Sequence, residues 1–303
     1  MPSLPPPKPS AWREYGRPAL LLLLTVVSIY MIGGTLLVVG LVSILFSHEM
    51  GHYVACRLHG VDATLPHFIP SPWIPIGGGW MPLSFVGTFG AVIRIRAPFP
   101  QRRALFDIGV AGPLAGFVVA LPVLLLGVQE ATFAPIPEDR MAGVQLGDPL
   151  LFTLAMRLLR GETPAGMNAV IGPLGLAAWF GLFMTALNLI PIGQLDGGHI
   201  TYALLPRYAA RISRVMSWVC LALAYFGPSW IIWSILLRIL GRRHPPTLDD
   251  GEPVGRVRVA VGLLSLAVFI VCFMPEPVAF SWPTFLDAMS SLASDVLSFF
   301  TSR

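Results

Sequence analysis

Charge is scarce in this chain: of its 303 residues, 12% are Asp, Glu, Lys or Arg, against about 25% in an ordinary soluble protein. With 55% of residues hydrophobic and a mean hydropathy of +0.72, a water-soluble globule is excluded and a polytopic membrane protein is indicated. Cysteine is scarce as well. Cys56, Cys220 and Cys272 lie far apart, in or beside apolar segments, and form no CxxC pair, so no disulfide framework is encoded. The formal net charge is +4, yet no basic run with interleaved aromatics exists to bind nucleic acid. The arginines sit at the ends of apolar segments, where they act as topology signals. No A-x-A cleavage site follows the first half of the first apolar run, so that run is expected to stay as a membrane anchor rather than a cleaved signal.

What the chain has in abundance is apolar length. Residues 1–17 are rich in proline and carry Lys8, Arg13 and Arg17, which predicts a disordered cytoplasmic tail. About 20 residues cross a bilayer, so 18–57 holds two segments, with the break at Gly33-Gly34: an N-terminal span over 18–34 and a second over 35–57. Further spans are expected over 105–128, 166–190, 211–226, 229–241 and 257–274, making about seven transmembrane helices, with an amphipathic surface tail over 276–303. Between spans two and three, Pro66, Pro70, Pro72, Pro75, Gly77-Gly78-Gly79 and Pro82 rule out a continuous helix. Phe85–Ile95 is β-branched and aromatic, which predicts a small membrane-associated β-hairpin or sheet tucked into the protein; an irregular loop is the alternative. The glycines at 109, 112 and 116 in span three suit close helix packing, with a kink at Pro113. A short surface helix is expected over 149–159. Seven spans starting inside put all 20 basic residues except Arg140, Arg157, Arg160 and Arg303 on the inner side, as the positive-inside rule requires.

The second span ends on Ser47-His48-Glu49-Met50-Gly51-His52, an HExxH sequence. Helical residues four apart share a face, so His48 and His52 can grip one metal ion while Glu49, one step round, reaches a water beside it. Near such an ion water is more acidic, and a carboxylate can take its proton and later pass it to a leaving amine. A lipid bilayer tolerates ionisable groups at such a place chiefly for function. The third ligand has to come from elsewhere in the chain. The stretch after span four, Asn188-Leu-Ile-Pro191-Ile-Gly-Gln-Leu-Asp196-Gly197-Gly198-His199, breaks its helix at Pro191, and the topology brings Asp196 to the depth of the two histidines. Asp196 is therefore the expected third ligand, against the plainer role of a surface turn residue. His199 and Cys56, one turn beyond His52, are weaker ligand candidates; a structural hydrogen bond and a small buried apolar side chain are their competing roles. Nitrogen and oxygen ligands with an open fourth position suit one catalytic Zn2+ per chain.

HEMGH at 48–52 together with NLIPIGQLDGG at 188–198 resembles the paired HExxH and NxxPxxxLDG motifs of the site-2 protease family of intramembrane zinc metalloproteases. FIPSP at 68–72, GTFGAVI at 87–93 and AGPLAG at 111–116 are similar to the branch containing the chloroplast EGY-type proteins and their bacterial relatives. The resemblance covers roughly 35–206, leaving 207–275 as C-terminal transmembrane helices. It implies His48, His52 and Asp196 as zinc ligands, Glu49 as the catalytic base, and Asn188 beside the scissile carbonyl, where it could steady the oxyanion. The implied reaction is hydrolysis of peptide bonds in or near transmembrane segments of a membrane-protein substrate. Some relatives carry a PDZ insertion or an appended CBS domain, and this sequence has no stretch long enough for either. Two rival readings are a membrane zincin trimming soluble or lipidated C-termini, and a noncatalytic metal transporter or membrane chaperone. The expected location is a bacterial plasma (inner) membrane with the active site towards the cytoplasm.

Overall fold

In a bilayer every backbone N–H and C=O must find a partner within the protein, so long apolar runs have to wind into helices. The computed structural model describes residues 10–76, 79–135, 145–239, 246–279 and 290, and its first helix, α1 (Arg17–Leu58), is 42 residues long. A straight helix of that length would reach roughly 63 Å, about twice the hydrocarbon thickness of a membrane. It is interrupted at Gly34, whose φ of 67° and ψ of −162° are non-helical, the place where the sequence predicts a break. Glycine alone adopts that φ without strain. Ahead of α1, Trp12–Gly16 forms a π-helical turn inside the stretch expected to be tail; residues 1–9 lie outside the described set, as does nearly all of the expected amphipathic tail.

The predicted sheet is present in a specific form. Strands β1 (His67–Pro70) and β4 (Thr88–Val92) pair antiparallel, His67 opposite Val92 and Phe68 opposite Ala91, with an irregularity between Phe68 and Pro70. Between them β2 (Trp73–Ile76) and β3 (Gly79–Pro82) form a second antiparallel pair. The sheet is tucked against the first half of α1: the Trp73 indole N–H donates to Ser28 Oγ at 3.1 Å, and Gly87 has φ 84° and abuts the Ile29 backbone.

Helix α2 (Arg102–Glu130) runs through Pro113 and Pro122. Strands β5 (Thr132–Pro135) and β7 (Met167–Val170) pair antiparallel, flanking β6 (Gln145–Leu146) and α3 (Leu150–Arg160) in sequence. The fourth span therefore begins as α4 (Pro173–Leu189), not at residue 166: pairing with β5 holds 167–170 extended, and Pro173 suits only the first turn of a helix. Then follow α5 (Asp196–Leu204), α6 (Pro206–Ala222), α7 (Ser229–Ile239), α8 (Arg256–Cys272) and β8 (Val278–Ala279), which pairs with β6. Among the described residues two helices, Trp12–Leu58 and Arg102–Glu130, are long and apolar enough to cross a membrane, and Pro173–Leu189 and Ser229–Arg238 are shorter apolar helices.

The core lies where α1, α2 and α4 meet, with Leu37, Leu41, Leu105, Leu124, Trp179 and Leu182 buried there. Two ends are distinguishable. At one, Arg102 donates to the Ala203 carbonyl at 3.2 Å and Arg103 pairs with Glu252 at 2.9 Å. At the other, the indoles of Trp179 and Trp230 donate to the carbonyls of Gly147 and Pro275, each at 2.6 Å. Helices α2 and α4 touch backbone to backbone where Gly127 meets Gly175, a contact that any side chain would wedge apart. Gly127→Val is expected to lower stability by about 1–3 kcal/mol, the usual cost of overpacking, measurable as a fall in unfolding midpoint in detergent; an unchanged midpoint would contradict this contact.

Candidate metal centre

His48 and His52 lie one turn apart on α1 with ring centroids 4.8 Å from each other, because the HExxH spacing matches the helical repeat. Both are buried, as is Glu49 between them. Asp196 arrives from the opposite side of the chain. α4 stops at Leu189, the chain turns through Pro191 and Gly193, and the Gly193 N–H is held by Ser213 Oγ at 3.1 Å. α5 then starts at Asp196, whose carboxylate sits in the favourable field of a helix N-terminus. Gly197 and Gly198 let that turn press directly on the carbonyls of Leu189 and Gly193.

The three side chains converge. His48 Nε2 lies 3.1 Å from His52 Nε2 and 3.4 Å from one Asp196 oxygen; His52 Nε2 lies 3.3 Å from the other. A tetrahedral zinc ion with bonds of about 2.0–2.2 Å separates its ligands by roughly 3.3–3.6 Å, so the donor set fits that ion in kind and both histidine–aspartate spacings fall in its range, the two histidines standing slightly closer at 3.1 Å. His52 Nδ1 is 2.7 Å from the Ile108 carbonyl. Donating that proton leaves Nε2 with its lone pair facing the cluster, the tautomer a metal ligand needs. Glu49 points towards the sheet, where the Ile93 backbone N–H hydrogen-bonds it. Asn188, on the last turn of α4, places Nδ2 3.3 Å from His48 Nε2.

Two further candidates fall elsewhere. Cys56 is fully buried among Ala55, Val61, Ala63 and Ile108, an apolar nest, and is not among the grouped ligands. His199 packs its ring against Phe99 with centroids 5.5 Å apart, and it too lies outside that group. Farther along α5, the Tyr202 hydroxyl donates to Asp250 at 2.7 Å; burial and that hydrogen bond push its pKa up to about 12, so it remains a donor across the neutral range.

The α2 glycines, predicted from sequence as packing residues, form the floor of the centre. A Cβ on Gly112 would land on the imidazole of His52, one on Gly116 would stand 3.1 Å from His48 Cβ, and one on Gly109 would meet His199 Cβ at 2.8 Å. On the other helix Gly51 abuts the Ala111 carbonyl. The glycine spacing was visible in the sequence, but which helix it faced was not.

A model of peptidase family M50 matches residues 36–226, more than half of the chain. The chain belongs to that family. This is the site-2 protease family that the paired motifs indicate, a family of polytopic membrane proteins. Among its curated relatives are the probable zinc metalloprotease EGY2, chloroplastic, of Oryza sativa subsp. indica, 32% identical over 77% of this chain and 41% of the relative. The probable zinc metalloprotease EGY1, chloroplastic, of Arabidopsis thaliana is 29% identical over 78% of this chain and 42% of its own length. EGY3 of Arabidopsis thaliana, named a probable zinc metallopeptidase, is 26% identical over 78% and 41%. The chain thus spans about two fifths of the length of the curated relatives it matches. No solved structure matches it. The M50 match and the His-His-Asp cluster together support zinc as the metal. The expected bacterial inner membrane, with the active site towards the cytoplasm, is overturned by these matches, because the relatives are named as chloroplast proteins.

Because Gly112 and Gly116 differ in clearance, their alanine variants should differ in metal content. Gly112→Ala is expected to lose most of its zinc and Gly116→Ala to keep most of it, as read by metal analysis of purified protein. Full zinc in Gly112→Ala would contradict this packing.

Proposed function

We propose that this M50 protein is an intramembrane zinc metalloendopeptidase, hydrolysing peptide bonds in or near transmembrane segments of other membrane proteins. The observation that carries the reading is the convergence of His48, His52 and Asp196 next to Glu49, on helices that belong in a bilayer. His48, His52 and Asp196 would hold one zinc ion, which when bound supplies Lewis acidity and makes a neighbouring water easier to deprotonate. Gly112, against which His52 rests, lies ten residues into α2, roughly 15 Å of helix from its arginine-bearing start. That depth favours substrates inside the membrane over soluble ones.

In this reading Glu49 takes a proton from the water as its oxygen bonds to the scissile carbon, and returns that proton to the leaving nitrogen as the C–N bond breaks. The Asn188 amide donates to the oxygen that gains charge. A substrate helix hides its carbonyls in its own backbone ladder and must unwind before attack. The strand around β4, which approaches Glu49 at Ile93, offers backbone groups that could hold it extended by β-addition. Seven membrane crossings fit this scheme: the two halves of α1 either side of Gly34, then α2, α4, α6, α7 and α8. The catalytic core would occupy 35–206, preceded by the span that ends at Gly34 and followed by the helices over 207–275. The relatives' names point to a chloroplast membrane as the setting.

Glu49→Gln keeps shape and hydrogen bonding but removes the proton acceptor. It should reduce cleavage of a model transmembrane substrate by about 100-fold or more while retaining stoichiometric zinc. Near-normal cleavage by this variant would rule out Glu49 as the base, and metal uptake into vesicles without cleavage by the wild type would favour a transporter.

A further inference from the structure

Where α1 meets α2, the His52 ring sits in the notch left by Gly112 and Gly51 rests on the Ala111 carbonyl, so the placing of the imidazole depends on the register of the two helices. A polar contact at one end reinforces that register. At the arginine-bearing end, Arg258 at the start of α8 grips Asp107 of α2 with a two-pronged bond, Nε to Oδ1 at 2.7 Å and Nη2 to Oδ2 at 2.6 Å. The same Oδ2 lies 2.9 Å from Nε2 of His59, the residue that follows α1. One carboxylate therefore ties the end of the histidine-bearing helix to α2 and to α8. Such forked charge-assisted pairs fix geometry as well as adding energy. The next residue, Ile108, is 1% exposed and packs beside Ala55 and Cys56 of α1, and its carbonyl is the one that sets the His52 tautomer. The other described ion pairs between oppositely charged side chains, Arg96 with Asp62 and Arg103 with Glu252, do not join α1 to α2.

We propose that Asp107 and Arg258 are positioning residues for the metal centre, holding α2 in register so that the Ile108 carbonyl meets His52. This rests on the reading of His48, His52 and Asp196 as zinc ligands. Neither residue touches the ion or the substrate; each acts through the backbone of Ile108.

Zinc affinity, measured by chelator competition on the full chain in detergent, separates this role from general support, with the visible spectrum of the cobalt-loaded protein as a second readout. Asp107→Asn and Arg258→Ala should each weaken zinc about tenfold or more, the usual effect of losing support behind a ligand, and shift the cobalt bands. The double variant should be no weaker than the worse single one, because the pair acts as a unit. Arg103→Ala, which breaks an exposed pair at the start of the same helix, should stay within about twofold. Wild-type affinity and an unchanged cobalt spectrum in folded Asp107→Asn would overturn the proposal. If neither Asp107→Asn nor Arg258→Ala folds, Arg258→Lys decides: it keeps the charge but loses the fork, and an affinity and spectrum matching wild type would overturn the proposal while weaker binding with shifted bands supports it. Wild-type protein that binds no zinc would overturn the ligand reading itself, an outcome distinct from intact wild-type binding with unaffected variants.

Discussion

The centre depends on how closely two helices approach. His52 has its ring where a side chain of Gly112 would otherwise be, and Gly51 returns the favour by resting on the Ala111 carbonyl. In lipid there is no hydrophobic force between apolar helices, so association rests on van der Waals packing and hydrogen bonds, both of which improve as backbones come closer. The missing Cβ atoms thus serve two ends at once. They let α1 and α2 pack, and they bring the Ile108 carbonyl within 2.7 Å of the imidazole it orients.

That closeness creates an electrostatic problem. The side chains of His48, His52 and Asp196 are 9%, 8% and 14% exposed, and Glu49 is buried beside them. Burying ionisable groups without compensation is costly, and the hydrogen bonds from Ile93 and to Ile108 meet only part of the need. A divalent cation held by His48, His52 and Asp196 would meet the rest. Metal binding and helix packing would then be coupled, since the residues that would hold the ion come from α1 and α5 over a floor supplied by α2.

Asp196 shows how irregular backbone is used in such a setting. Non-helical chain is tolerated at membrane depth only when protein surrounds it. Here the turn between α4 and α5 is held by Ser213 on α6 and by the close stacking of Gly197 on the Leu189 carbonyl and of Gly198 on the Gly193 carbonyl. A carboxylate can then be presented from a helix start, where its negative charge is favoured, towards histidines about 150 residues earlier in the chain. On the Glu49 side β1 and β4 pair with each other, and Ile93, just past β4, hydrogen-bonds the carboxylate.

Much of this was legible in the residues themselves. The helical repeat forces His48 and His52 onto one face whatever the fold does, Pro191 has to end α4 because it cannot continue the hydrogen-bond ladder, and Gly34 is the residue able to break a 42-residue apolar run. The strand at 88–92 followed from its β-branched and aromatic composition. Other features depend on contacts between residues distant in sequence, which periodicity does not encode. The start of α4 at Pro173 was set by pairing of 167–170 with 132–135, since a short apolar stretch takes helix or strand according to its partner. Cys56 lies on the ligand side of α1 by spacing, yet Ile108 and Val61 enclose it in an apolar nest. The glycines of α2 announced a close neighbour without naming it, because the absence of a side chain carries no information about what fills the space; only the fold decided that the neighbours were His52 and His48.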